Sequence, residues 1–185
     1  MILGAVLAGG QSTRFGSDKA LAELDGHTLL ERAVAQLEGW CGAVVVIGRN
    51  EAEVQGESGV RCVPDWPAPG LGPLGGMAGA LRFARDQGFA AVLTCGVDSP
   101  GLPGDLLQLL AFAPAYVGDQ PVVGLWPVAA ADTVAAILGG TGRHSMRALA
   151  EALGARAVAL PTPSANINTP ADLAALRAGS ASSGQ

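Results

Sequence analysis

The stretch LAGGQSTRFGSDKAL, Leu7 to Leu21, takes over from a continuous apolar run that begins at Ile2. A short apolar run without alternation predicts a strand buried on both faces, as in a parallel sheet covered by helices. Gly9, Gly10 and Gly16 then predict a loop from Ala8 to Lys19 at the strand's carboxyl end, where open α/β sheets hold their ligands. Gly9 and Gly10 let backbone N–H groups approach phosphate oxygens, and Arg14 and Lys19 bring positive charge to the same place. The spacing is not GxxxxGK followed by Ser or Thr, because Ser17 follows Gly16, and it is not GxGxxG, because Gly10 directly follows Gly9. A tight turn with two solvated cations is the plainer account. Composition weighs against it, since the 11 Lys and Arg residues include one Lys only, Lys19. A chain that uses Arg everywhere else has a compact ammonium here.

Outward from that loop, strand and helix alternate. Leu29, Leu30, Ala33, Val34 and Leu37 recur at helical spacing behind Thr28, a good N-cap. Buried strands are expected at Ala43 to Ile47, Val60 to Val63 and Ala90 to Cys95. Pro64 to Gly76 reads as a shaped loop leading into a helix from Met77 to Phe83. Later helices are expected over Pro103 to Leu110, Ala129 to Leu138, Ser145 to Leu153 and from Pro170, and strands over Val122 to Trp126 and Arg156 to Leu160. This alternation predicts a three-layer αβα, Rossmann-like, mostly parallel sheet with its ligand site at the strands' carboxyl ends. Residues 1–178 read as a single domain, and 179–185, small and polar, as a disordered tail.

At 185 residues and 49% hydrophobic, the chain can bury a core without staples. Cys41, Cys62 and Cys95 are widely spaced in apolar surroundings, which predicts buried free thiols in a reducing cytosol. No basic leader precedes the first apolar run and no stretch is long enough to span a bilayer, so a cytoplasmic protein without membrane contact is expected. A net charge of -5 leaves no general basic surface and argues against nucleic acid as a partner. His27 and His144 are too isolated to suggest zinc, and Ser12 and Ser99 have no evident base for covalent hydrolysis.

Two further segments carry chemistry. Asp98 lies just beyond the strand Ala90 to Cys95, facing the glycine loop. One such carboxylate suffices for Mg2+, which keeps waters and bridges phosphates; a turn-forming Asp before Pro is the alternative. In NINTPADL, Asn166 and Asn168 flank Ile167, so an extended backbone points both amides one way. Thr169 and Pro170 read as the cap and first residue of a helix. A capped helix start does not explain paired amides, which suit an acceptor rich in phosphate and heterocycle heteroatoms. Arg143, His144 and Arg147 are candidate charges on that side. Trp126 reads as core packing.

LAGGQSTRFGSDKAL resembles the signature loop of the molybdenum cofactor guanylyltransferases, with Phe15 at a usual Met. GPLGG at Gly72 to Gly76, VDSP at Val97 to Pro100, GLWP at Gly124 to Pro127 and NINTPADL at Asn166 to Leu173 follow in the family's order. The resemblance implies a Mg2+-dependent transfer of GMP from GTP to molybdopterin, with Arg14, Lys19 and Asp98 catalytic and Asp98 holding the metal. It implies binding by Leu7, Ala8, Gly9, Gly10, Lys19, Asp65 and Asp98, with Asp65 close to the guanosine, and an acceptor side at Asn166 and Asn168. Transient contacts with cofactor-supplying and cofactor-accepting proteins come with that role. The family's Asn after the second buried strand is replaced by Ile47, and Asn50 lies three residues on. A cytidylyltransferase on the same acceptor is the alternative, disfavoured by LAGG over LAAG; a sugar-phosphate enzyme fits NINTP less well. A non-catalytic nucleotide-binding module would have no need of Arg14, Lys19 and Asp98 together.

Overall fold

The computed structural model describes residues 1–9, 18–54, 60–162 and 166–182. β1 (Ile2–Leu7) sits at the centre. Its Leu3, Ala5 and Leu7 enter one apolar cluster and Val6 the other, which is why the run carries no polar position. A small antiparallel hairpin, β2 (Glu23–Leu24) and β3 (His27–Thr28), follows and turns at Asp25 and Gly26 with φ of 54° and 81°. Two successive positive φ values are what a two-residue hairpin needs, and Asp-Gly supplies them.

β4 (Ala43–Ile47) and β6 (Ala91–Gly96) flank β1 in parallel, and β5 (Arg61–Val63) extends the sheet beyond β4. On the other side β8 (Gln120–Pro127) runs antiparallel to β6. β7 (Ala115–Val117) is antiparallel to β8, and β9 (Arg156–Val158) is parallel to β7. The seven strands lie in the order β5-β4-β1-β6-β8-β7-β9. The chain moves outward from β1 through β4 to β5, then returns to β6 on the opposite side. That reversal opens a crevice at the carboxyl ends of β1 and β6.

α1 (Leu29–Glu38) and the short α3 (Leu106–Leu109) cover one face; α2 (Gly72–Asp86), α4 (Ala130–Gly139) and α5 (Met146–Ala152) cover the other. The three-layer, mostly parallel expectation holds. α1 starts with a full capping box between Thr28 and Glu31, worth about 1 kcal/mol. α2 and α4 meet through apolar side chains, since their one ion pair, Arg85–Asp132, is too exposed to add much. α6 (Pro170–Ser182) closes a separate small cluster of Leu24, Leu29, Ile167 and Leu173.

Several boundaries differ from expectation. α2 begins at Gly72, inside the stretch read as loop, because Pro73 at its first turn starts a helix as readily as it ends one. α3 forms only at Leu106–Leu109, and β9 stops at Val158. β7 had no counterpart in the sequence expectation. The last helix runs past residue 178 to Ser182, and 183–185 lie outside the described residues. Only Cys95 of the three free thiols is buried; Cys41 and Cys62 are partly covered, which corrects the expectation for those two. Burial pushes the Cys95 thiol up to about 12 and the Cys41 thiol to about 11. Trp126 is fully buried, as expected of core packing, and its Nε1 donates to Thr94 Oγ1 at 3.0 Å.

One contact sets the height of the chain after β5. A Cβ placed on Gly79 of α2 would stand 2.3 Å from the Pro64 carbonyl oxygen. The helix therefore presses its bare backbone against the segment that carries Asp65. Gly79→Ala should lose about 1–3 kcal/mol, the usual cost of overpacking against backbone. The readout is a lower urea midpoint with an unchanged slope.

Candidate active site

The crevice beyond β1 and β6 holds a cavity of about 200 Å3 lined by Leu7, Ala8, Gly9, Lys19, Ala20, Arg49, Pro73, Gly96, Val97, Asp98 and Val122. Gly9, Lys19 and Asp98, distant in sequence, thus face one space. Lys19 opens a 3-10 turn (Lys19–Leu21) whose cap is Asp18; Asp18 Oδ1 accepts from Ala20 N at 3.1 Å. Lys19 Nζ reaches Asp98 Oδ2 at 3.3 Å. The Lys19 side chain is 12% exposed and that of Asp98 34%, so the ammonium is held inside while the carboxylate keeps an open side.

Asp98 is aimed by the end of β6. A Cβ on Gly96 would lie 2.3 Å from Asp98 Oδ1, so the carboxylate occupies the space where a side chain at 96 would stand. On the far side, the Asp98 carbonyl oxygen accepts from Ile167 N at 3.0 Å. This brings the Asn166 to Asn168 segment alongside Asp98, with Ile167 fully buried and both asparagines exposed. The common direction predicted for the two amides matches that alternation. Asp172 Oδ2 accepts from Asn168 N at 2.9 Å and from Thr169 N at 2.7 Å, while Thr169 Oγ1 accepts from Asp172 N at 3.2 Å. These bonds, the one from Asn168 first, hold the Asp172 carboxyl below its ordinary value.

A second cavity of about 380 Å3 adjoins the first through the shared residues Leu7, Gly9 and Pro73. Its remaining walls are Ile47, Gly48, Asp65, Pro69, Gly70, Gly72 and Gly76. The chain can turn here because Gly48 has φ of +79° and packs on Gly9: a Cβ at 48 would stand 2.7 Å from Gly9 Cα. Asp65 is half-buried beside these glycines. Burial pushes its carboxyl up, and a hydrogen bond from the Gly70 backbone opposes that shift. A carboxylate that is the one charged side chain among the described residues lining this pocket is suited to a ligand edge with paired N–H donors.

Leu7, Ala8, Gly9, Lys19, Asp65, Asp98, Asn166 and Asn168 are therefore gathered along one edge of the sheet. Gly10 and Arg14 lie outside the described residues. Arg147 turns elsewhere, donating to the Gly118 carbonyl, and His144 bonds to that of Gly140. Asn50 is a helix cap, not a site amide: its Oδ1 accepts from Glu53 N at 3.1 Å. Sequence reasoning missed Arg49, whose guanidinium bonds Asp18 at 2.7 and 2.5 Å and the Ala8 carbonyl at 3.1 Å. Its position just past a central strand was the available signal. Among the described residues no group of three or more His, Cys, Asp or Glu could enclose a metal. An ion held here would rest on Asp98 and on the ligand's own oxygens, a fit to a hard cation that keeps water. No described helix is long and apolar enough to cross a membrane.

The arrangement is that of a nucleotidyltransferase: Gly9 at the exit of a central strand in a switch-point crevice, with the Lys19 ammonium and the Asp98 carboxylate paired beside it. The chain belongs to the MobA-like NTP transferase domain family, whose model matches residues 4–165. A molybdenum cofactor guanylyltransferase of Acidiphilium cryptum is 38% identical over 94% of this chain and 93% of its own. One from Rhodobacter capsulatus is 36% identical over the same shares. The crystal structure of molybdopterin-guanine dinucleotide biosynthesis protein A from Archaeoglobus fulgidus aligns with a TM-score of 0.74 at 22% identity. It covers 98% of this chain and 100% of that one, a likeness of fold.

Gly96→Ala isolates the aim of Asp98. The short carboxylate can swing away from the added methyl, so folding should survive while its position does not. Nucleotidyl transfer should fall at least about tenfold, as for a misplaced catalytic group, with an unchanged circular dichroism spectrum.

Proposed function

We propose that this protein transfers GMP from GTP to the terminal phosphate of molybdopterin, releasing pyrophosphate and forming molybdopterin guanine dinucleotide, with Mg2+ as the ion on Asp98. What supports the reading most is the pair of joined cavities: among the described residues, one has Asp65 as its one charged side chain, and the other has an ammonium paired with a carboxylate. Relatives at 38% and 36% identity bear the name molybdenum cofactor guanylyltransferase, and they align over nearly their whole length.

In this reading the base enters beside Asp65, whose oxygens accept from the N1–H and 2-amino donors of guanine. The triphosphate passes Gly9, where the lack of a side chain leaves room for it. An oxygen of the acceptor phosphate attacks the α-phosphorus, the α–β bond breaks, and pyrophosphate leaves. The chain's part is alignment and charge neutralisation, which is most of what such a transfer needs. Lys19 holds negative charge on the phosphates, and Arg14 is assigned the same task. Asn166 and Asn168 take the acceptor, kept in place by Ile167 on Asp98 and by Asp172. Bound Mg2+ would supply further neutralisation of triphosphate oxygens at the Asp98 carboxylate. Contacts with proteins that deliver and collect the cofactor belong to the same proposal, as do action in the cytoplasm and a single domain that includes the last helix, to Ser182.

The test is incubation with each NTP, Mg2+ and molybdopterin-loaded carrier, with mass analysis of the nucleotide product. GTP should give the guanine dinucleotide at the highest rate; equal or better turnover with CTP would overturn the base assignment. Asp98→Asn keeps the size and a hydrogen-bond acceptor but loses the charge, so turnover should fall by at least about a hundredfold. Near-normal activity in a folded Asp98→Asn protein would remove that carboxylate from the mechanism.

A further inference from the structure

We infer that Arg49 is a positioning residue that sets Lys19 at the smaller cavity by fastening Ala8 and Asp18, which bracket the glycine-rich segment in sequence, to the carboxyl end of β4. The side chain of Arg49 is only 10% exposed. Its Nε donates to the Ala8 carbonyl at 3.1 Å, where the chain leaves β1. Its Nη1 donates to Asp18 Oδ2 at 2.7 Å and Nη2 to Asp18 Oδ1 at 2.5 Å, directly before Lys19. One planar group thus holds residues 8 and 18 at fixed separation. The same Asp18 Oδ1 caps the turn that Lys19 opens, through Ala20 N. The bond to Arg49 is the main reason the Asp18 carboxyl sits below its ordinary value.

Arg49 also lines the cavity, which raises direct phosphate binding as the other use of its charge. The geometry disfavours that use. Asp18 neutralises the guanidinium, and one N–H of each of its three nitrogens is taken by Ala8 or Asp18. A lysine at 49 would keep the charge but could not span a carbonyl and both oxygens of a carboxylate from one plane. Lysine therefore separates fastening from charge.

Arg49's role rests on the GTP reading proposed above, and two measurements keep the two apart. The first is deuterium exchange over residues 18 to 24 in the nucleotide-free protein. Arg49→Lys should speed exchange of the Ala20 amide roughly tenfold with the melting temperature little changed. The second is GTP affinity by calorimetry with Mg2+ and no acceptor, in a cycle of Arg49→Lys with Lys19→Ala. Arg49→Lys should weaken GTP about tenfold when Lys19 is present and less than about twofold when it is absent, because its effect passes through Lys19. An equal loss in both backgrounds would make Arg49 a direct phosphate ligand and overturn the inference, as would wild-type exchange and affinity in Arg49→Lys. If Arg49→Lys fails to fold, Asp18→Asn gives the same cycle, since asparagine still caps Ala20 and loses only the pairing with Arg49. A wild-type protein that binds no GTP sinks the functional reading, while the exchange experiment still decides the fastening.

Discussion

Val63, Ile47, Leu7 and Gly96 lie across from one another in one row of the parallel ladder formed by β5, β4, β1 and β6. That shared register is what the rest of the molecule depends on. Four strands end at one height, so the four segments that leave them emerge side by side. Asp65 comes two residues after the first, Arg49 two after the second, Gly9 two after the third and Asp98 two after the last. Parallel pairing makes this possible, since antiparallel neighbours would send alternate exits to opposite ends of the sheet. A slip of one residue in any pair would turn the whole strand over, moving its apolar set to the wrong core. The two apolar clusters on either face therefore do more than stabilise the sheet. They hold the register that holds the site.

Close backbone contacts refine the arrangement. Gly48 on Gly9 draws the exits of β4 and β1 together, and Gly79 lets α2 press on the exit of β5. In each case a missing methyl is the specification, and side-chain flexibility cannot compensate because the opposing atoms are backbone. The thiol nearest the site is taken out of chemistry by the same packing. Cys95 precedes Gly96, yet full burial raises its thiol to about 12, so it stays protonated beside a carboxylate.

The central strands were legible because both their faces are buried, which leaves a short unbroken apolar run rich in β-branched residues. Ile2–Leu7 and Ala43–Ile47 were located to the residue for that reason. α1 was legible through its period and through Thr28. β7 was not: three residues between Pro114 and Gly118 are too few to show alternation, and its partner β8 makes it a strand. The hairpin at Asp25 and Gly26 carried a turn signal, but its two-residue strands fall below any periodic pattern. Lys19, Asp98 and the asparagine pair could be read from residue type and local position. Arg49 had the local position, just past a central strand, but not its partners. It acts on Ala8 and Asp18 across a sheet whose strand order the sequence does not state.

Among the described residues, those that line the two joined cavities all lie between positions 7 and 122. The asparagine segment arrives much later in the chain. A backbone hydrogen bond from Ile167 to Asp98, a small apolar cluster around Ile167 and Leu173, and a bond from Arg177 to the Glu23 carbonyl attach it and the helix that follows. The polypeptide is thus divided lengthwise into a large invested part and a lightly moored one. Its contact with the β1–β6 crevice runs through Val97, which lines the smaller cavity and packs against that cluster, and through the Asp98 carbonyl. Substitutions in the moored part that keep Ile167 and Leu173 would therefore leave the walls of the larger cavity untouched.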